Sequence, residues 1–453
     1  VSAGPTIELL RAADAEDRQR RIAGGLLAVG LRPGDRVVLR TPSTGDMLAA
    51  ILGALRVGIV PVLLHAGLLE HERALLLEDA APDLVIDEVG LSSLLAAEPT
   101  ELAPWPLARP MHYTSGTTGH PKGVWSGVLE EAEAAALVAE ERDLWGFAAD
   151  DVHLVCSPFH HSVAIRFSAG TLLAGGDVAI LGPFDAGRAI DALHRIEPTT
   201  TFMVPAHLQR VFAASPTPPL AGLRLLAHAG SPCPAPLKRR VLEAAGDDVV
   251  WEFYGSTEGQ FTVCSAEEWR ERPGTVGRAR RHRSLEVDPD GTVWCAVPEY
   301  ARFSYWRAPE ATAAAWRPAP PGAPGPSAFT VGDLGRLDDD GYLFLDGRRD
   351  DLVITGGVNV YPAEVEQALV AIPGVSEAAV FGVDDDRWGQ RVCVAFVGDA
   401  APEDVVAGAR ERLAAHKRPK QAFAVASLPH TTTGKVQRNL LAGLLGLGGK
   451  GRG

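Results

Sequence analysis

The chain is poor in lysine, in cysteine and in long apolar runs, and each shortage excludes something. Six of its 453 residues are lysine (Lys122, Lys238, Lys417, Lys420, Lys435 and Lys450), so arginine supplies nearly all the positive charge. Basic residues number 43 against 57 acidic, a net charge of −14. That balance argues against a general nucleic-acid or anionic-membrane binder, which needs an excess of cations to displace counterions. The five cysteines (Cys156, Cys233, Cys264, Cys295, Cys393) are odd in number and include no Cys-x-x-Cys pair. Buried thiols in a reducing compartment are therefore expected, rather than a disulfide framework or a zinc ribbon. No stretch reaches 18 uninterrupted apolar residues, and the first residues, VSAGP, lack a basic-then-apolar signal pattern. The expectation is a cytoplasmic protein with no membrane and no nucleic-acid partner.

What is present is an alternation of short β-rich runs with helical ones. Arg36–Arg40, Ile59–Leu64, Asp83–Ile86, Asp151–Cys156, Val178–Leu181, Thr199–Val204 and Leu223–Ala229 read as strands. Asp46–Val57, Glu70–Ala80 and the stretch after Pro205 read as helices. This rhythm marks βαβ units around largely parallel sheet. The Pro/Gly-dense run PAPPGAPGPS at 318–327 reads as a surface loop. Beyond a strand at Gly341–Asp346 the pattern changes, with helices at Pro362–Ala371 and Pro402–Ala415 and strands at Ala378–Gly382 and Arg391–Val397. The expected fold is α/β: a large domain, 1–346, of mixed, mostly parallel sheets flanked by helices, and a small α+β domain, 347–453.

Three segments have the composition of a polyphosphate site. YTSGTTGHPKG at 113–123 combines three glycines, four hydroxyls and a lysine, so its backbone N–H groups can turn toward an anion. It is not the Gly-x4-Gly-Lys-Ser/Thr loop, because Lys122 follows Pro121 and precedes Gly123. FYGSTEG at 253–259 puts a carboxylate on a Gly-bounded turn, and LPHTTTGKVQR at 428–438 presents Lys435 on another. Each alone is weak. Neither a Gly-x-Ser-x-Gly elbow nor a His-Glu-x-x-His pair is present.

In this order the segments resemble the adenylate-forming enzymes: acyl-CoA synthetases, peptide-synthetase adenylation domains and luciferases. The resemblance runs from about residue 30 to 440 and rests on TSGTTGHPKG (114–123), PFHH (158–161), YGSTEG (254–259), GDLG (332–335), GRRDDLVITGGVNVYPAEVE (347–366) and TTTGKVQR (431–438). It implies that Thr114, Ser115, Gly116, Thr117, Thr118, Gly119 and Lys122 surround the β- and γ-phosphates of ATP. Tyr254 would lie on the adenine face, Thr257 near the α-phosphate and Glu258 on Mg2+. Asp333 and Arg348 would hold the ribose. Lys435 would reach the forming acyl-phosphate from a mobile C-terminal domain that turns about Asp350. Gly356 and Gly357 would then flank a pantetheine arm. His160 would line the acyl pocket.

The resemblance also implies an acyl pocket built from His160–Phe167, Val204–His207, His228–Cys233 and Gly255–Gly259, including His161, Arg166, His207, His228, Ser231 and Gly255. That lining is polar for a fatty-acid tunnel, so a compact, aromatic or polar-substituted carboxylic acid is expected. Arg166, as a fixed fork, could hold a second carboxylate; a structural arginine on the helix after His161 is the plainer alternative. The cluster Arg278-Ala-Arg-Arg-His-Arg283 could meet the phosphates of CoA or form a solvated face. CoA is the leading acceptor, giving an AMP-forming acid–thiol ligase acting as monomer or homodimer. The alternatives are a stand-alone enzyme that loads a carrier protein, one that activates another oxyacid such as nitrite, and an inactive nucleotide-binding protein.

Overall fold

A computed structural model describes residues 7–65, 68, 70–114, 121–348, 351–355, 358–385, 388–430 and 436–447. The short apolar runs become the strands of two large sheets. In the eight-stranded sheet the order is Glu8–Leu10, Asp177–Ile180, Val152–Val155, Thr200–Phe202, Leu225–His228, Val250–Gly255, Gln260–Ser265 and Arg278–Ala279. The five strands from Asp177–Ile180 to Val250–Gly255 are parallel, and the outer pairings are antiparallel. The six-stranded sheet runs Ser304–Tyr305, Lys122–Trp125, Met111–Thr114, Val60–Leu63, Arg36–Leu39 and Leu84–Ile86, its last four parallel. Val60–Leu63 is buried at every residue, as a parallel strand covered on both faces must be.

The helices follow local rules. Gly45–Leu55 buries every residue but Asp46, and Thr44 caps it by accepting the Met47 N–H at 3.3 Å. Pro205–Ala214, Pro362–Val370 and Pro402–Arg412 each begin with proline, whose missing N–H costs nothing in a first turn. The Pro/Gly-dense segment is the loop of a hairpin in which Pro318 faces Ser327.

Two elements differ from the sequence expectation. Ala12–Ala28 is a helix without a capping side chain, preceded by the strand Glu8–Leu10. That strand pairs with Asp177–Ile180, a partner too distant in sequence for any local pattern to reveal. Toward the other end, Val353–Thr355, Val358–Val360, Val375–Asp385, Gly389–Gly398 and Gln421–Ala424 form a separate sheet. Its two expected strands prove to be the middles of the long pair Val375–Asp385 and Gly389–Gly398. Val365, Leu369, Val380, Val394, Phe396 and Val405 make its core. The expected division after Asp346 falls two residues before the end of the strand Leu343–Arg348.

Candidate active site

Strands Met111–Thr114 and Lys122–Trp125 form a hairpin in which Thr114 faces Lys122, so these two residues close the base of the glycine- and hydroxyl-rich loop. The Thr114 hydroxyl donates to the Lys122 carbonyl at 3.4 Å. Ser115, Gly116, Thr117, Thr118 and Gly119 lie outside the described residues, as do Asp350, Gly356, Gly357 and Lys435. Of Arg348 only the backbone is described.

Glu258 sits on the turn joining Val250–Gly255 to Gln260–Ser265, which closes through the Ser256 N–H on the Gly259 carbonyl at 2.8 Å. Gly255 has no room for a side chain there: a Cβ would lie 2.8 Å from both Gln260 Cα and the Gly259 oxygen. Thr257, at the corner, is half-buried. The Glu258 carboxylate is buried and accepts a 2.9 Å hydrogen bond from the Tyr305 phenol. Tyr305 reaches it because Ser304–Tyr305 pairs with Trp125 and Val124 beside the loop, and its ring lies 5.4 Å from the Lys122 ammonium. Sequence reading missed Tyr305, whose aromatic surroundings, Ser304-Tyr-Trp306, look like core.

A second convergence joins Tyr254 and Asp333. The Tyr254 phenol donates to Asp333 Oδ2 at 2.5 Å, and Asp333 is buried. Asp333 is also the cross-strand partner of Arg348, so both expected ribose residues share one register position.

The expected acyl residues divide into three groups. His160 and His161 join a cluster of imidazoles: the His160 ring lies 4.3 Å from His65, edge-on, and 4.3 Å from His161. His112 Nδ1 lies 3.0 Å from the His160 carbonyl, which can only accept, so Nδ1 carries the proton. Burial pushes His160 down to about 3, and His161 and His112 to about 4, with neighbouring imidazoles adding to the effect. His207 stacks on Phe184 at 3.7 Å and is lowered to about 4 by burial and then by Arg210. All four rings are therefore neutral at pH 7. Trp145, Phe167, Phe202 and Phe253 pack together between helix Ser162–Leu173 and the sheet, with ring centroids 5.1–6.5 Å apart.

His228 belongs to a different environment. It is fully buried, with its Nε2 on the Lys238 ammonium, which also donates to Glu252 at 3.1 Å. Burial, then the lysine charge, holds its pKa well below the usual imidazole value. His228 is thus part of an internal triad rather than the lining of an open pocket. Ser231 follows on a half-buried turn after Gly230.

Arg166 donates to Gln260 Oε1 at 3.0 Å and lies 3.8 Å from Glu141. The cluster at 278–283 is neither a solvated face throughout nor a free basic patch. Arg280 donates to Glu141 at 2.8 Å and to Gln260 at 2.7 Å, and Arg283 forms a two-pronged pair with Glu140 at 3.2 and 3.0 Å. Alternating residues Arg278 and Arg281 face outward and pair with Glu268 and Asp143.

Known proteins give this geometry a context. Residues 10–296 match the AMP-binding enzyme family and residues 364–435 its C-terminal domain. A 2-succinylbenzoate–CoA ligase of Bacillus velezensis is 29% identical over 448 residues, covering 91% of this chain and 88% of that one. A feruloyl-CoA synthase of an Amycolatopsis species is 32% identical over 469 residues, covering 94% and 91%. The Bacillus subtilis o-succinylbenzoate CoA synthetase, solved with its acyl-adenylate intermediate, superposes with a TM-score of 0.82 at 26% identity, over 95% of this chain and 92% of that one. The same enzyme has also been solved with ATP and a magnesium ion.

Proposed function

The chain belongs to the AMP-binding enzyme family, and on that footing we propose that it activates a compact, aromatic or polar-substituted carboxylic acid in the pocket bounded by His160, His161 and helix Ser162–Leu173. The reaction class is that of an AMP-forming acid–thiol ligase using ATP, Mg2+ and CoA. The observation that carries the assignment is the meeting of Glu258 and Lys122 at Tyr305, beside the Tyr254–Asp333 pair, from segments scattered over two hundred residues.

A carboxylate resists attack because its leaving group would be an oxide, and joining it to AMP supplies a stabilised phosphate to leave instead. We assign Asp333 and Arg348 to the ribose, Tyr254 to the adenine face, and Thr114, Lys122 and the loop between them to the departing pyrophosphate. Lys435 supplies the positive charge that stabilises the α-phosphate as the acyl oxygen attacks. Turning the domain 347–453 about Asp350 withdraws Lys435 and lets Gly356 and Gly357 flank the incoming thiol.

Mg2+ is held in such sites through one or two carboxylates and the substrate phosphates. A buried carboxylate already oriented by a phenol, Glu258, fits that share. When bound, the ion would neutralise phosphate charge. Compactness of the acid is supported by the aromatic core of Trp145, Phe167, Phe202 and Phe253, which packs on the same helix, Ser162–Leu173, that follows His161. Cys156, Cys264, Cys295 and Cys393 are buried free thiols, which supports a reducing cytoplasm.

The test is pyrophosphate release over a panel of benzoic, cinnamic, short aliphatic and long-chain acids, with and without CoA. Release with a compact acid, and CoA-dependent thioester, are expected. Preference for long-chain acids would reject the compact pocket, and release without thioester would reject CoA as acceptor.

A further inference from the structure

The buried ion network around Arg166 does not balance. Four guanidiniums meet there: Arg166, Arg280 and Arg283, with Arg109 close enough to Arg166 and Arg283 for their charges to lower its pKa, after burial, to about 10. Among the described residues two carboxylates, Glu140 and Glu141, answer them, leaving two positive charges in excess. Glu140 is committed to Arg283, Arg280 and the Tyr300 phenol. Glu141 is committed to Arg280 and the Trp145 indole and lies 3.8 Å from Arg166, so it is shared between two guanidiniums. Arg109 spends its NH2 on the Ala301 and Arg302 carbonyls, and its buried Nε has no partner. The buried Nε of Arg280 is likewise unpartnered.

Burying uncompensated charge is costly, and an anion brought to the network offsets that cost. Arg166 is where one could arrive. Arg280 and Arg283 are sealed, with side chains 4% and 6% exposed, whereas the Arg166 side chain is 21% exposed. Of its five N–H donors one, on Nη1, is hydrogen-bonded to Gln260, and Nε lies 3.8 Å from Glu141, which leaves the second Nη1 hydrogen and Nη2 to bind a carboxylate two-pronged along the end of the fork. Arg166 lies one turn into the helix that follows His161, over the face of Phe253 at 5.8 Å, and Gln260 directly follows the turn of Glu258. It therefore joins the helix that follows His161 to the strand that follows the Glu258 turn, the two elements proposed to bound the acyl pocket.

We propose that Arg166, backed by Arg280, is the receptor for a second carboxylate on the substrate, and that the acid activated is a dicarboxylic acid. The inference rests on the acid-activating reading above and narrows it. One carboxylate is adenylated; the other stays ionised and completes the charge of the network.

The experiment compares straight-chain diacids from malonate to adipate, and phthalate, each with its own monomethyl ester, by kcat/KM for pyrophosphate release. The paired compounds differ in a single charge. For at least one diacid a preference of about 30-fold over its ester is expected, the scale of a hydrogen-bonded charge pair. Arg166→Leu should bring that ratio to near one, and Arg166→Lys should keep part of it; thermal melting of both variants separates lost recognition from lost fold. Equal turnover of diacids and esters by the unaltered enzyme, or a preference that survives in a folded Arg166→Leu protein, overturns the proposal. Failure of every acid, mono- or dicarboxylic, to release pyrophosphate would overturn the acid-activating function itself.

Discussion

The phenol of Tyr254 and the carboxylate of Asp333, 79 residues apart in the chain, are joined by a 2.5 Å hydrogen bond. The pair ties the strand that carries the Glu258 turn to the strand that carries the expected ribose carboxylate. Tyr254→Phe leaves the ring in place and removes one hydrogen bond from Asp333. The expected result is a rise in KM for ATP of roughly 2–10-fold, the scale of one hydrogen bond, with kcat little changed. Steady-state kinetics at saturating acid check this; a fall confined to kcat would show that the phenol acts in the chemical step instead.

Tyr305 orients Glu258 by a bond that a substitution can remove cleanly. In Tyr305→Phe the carboxylate keeps its burial and loses its donor. A bond to a charged group is worth about 1.5–3 kcal/mol, so kcat/KM should fall roughly 10–100-fold. Because Glu258 is the proposed metal carboxylate, the Mg2+ concentration for half-maximal activity should shift as well. An unaltered Mg2+ titration would detach Tyr305 from that role.

The imidazole cluster makes stability depend on pH in a stated direction. His112, His160, His161 and His207 have folded-state values of about 3–4 against an ordinary 6.5. As pH falls below 6.5 the unfolded chain takes up protons that the folded protein refuses. Stability present above 6.5 is therefore lost progressively toward pH 4. For fully buried His112, the interval from 6.5 to about 4 corresponds to roughly 3 kcal/mol, at about 1.4 kcal/mol per pH unit. Urea unfolding of His112→Leu at pH 7.5, 6 and 5 should show a shallower loss than the unaltered protein. Parallel curves would mean that the ring protonates freely.

The triad of His228, Lys238 and Glu252 predicts non-additivity. Lys238→Met strands a buried carboxylate beside a buried imidazole and should cost about 3–5 kcal/mol. Lys238→Met with Glu252→Gln removes both charges and should recover more than about 1 kcal/mol of that loss. Denaturant unfolding of the two single variants and the double variant measures the coupling. Simple addition of the single costs would mean that the ammonium and carboxylate do not act as a pair.

Much of this architecture is legible in the residues because the chain uses strong local signals. Interior parallel strands such as Val60–Leu63 are unbroken apolar runs, and proline or a hydroxyl marks several helix starts. Asp333 and Glu258 could be singled out because GDLG and YGSTEG resemble motifs of the adenylate-forming enzymes; without that resemblance neither carboxylate stands out. Other features depend on register between distant segments. Tyr305 owes its place to pairing with Val124, and the strand Glu8–Leu10 to Asp177–Ile180. Lys238 is one of six lysines with no motif around it, and its helix brings it to His228 and Glu252, which face each other on adjacent strands. Arg280 and Arg283 read as a basic run, since nothing local announces that Glu140 and Glu141 wait on the helix Glu131–Trp145.

The pairing of Glu8–Leu10 with Asp177–Ile180 also sets an order of events for a chain being made. The first strand has nothing to dock on until a segment some 170 residues later has emerged. At typical rates of synthesis that interval is roughly 10–30 s. During it the helix Ala12–Ala28 can already settle against Gly45–Leu55, the two meeting in the same buried core. The strand Glu8–Leu10 is then held on a formed base with its hydrogen-bonding edge unpaired until Asp177–Ile180 emerges, and it can take its place at the sheet's edge before the strands from Thr200–Phe202 onward have been made.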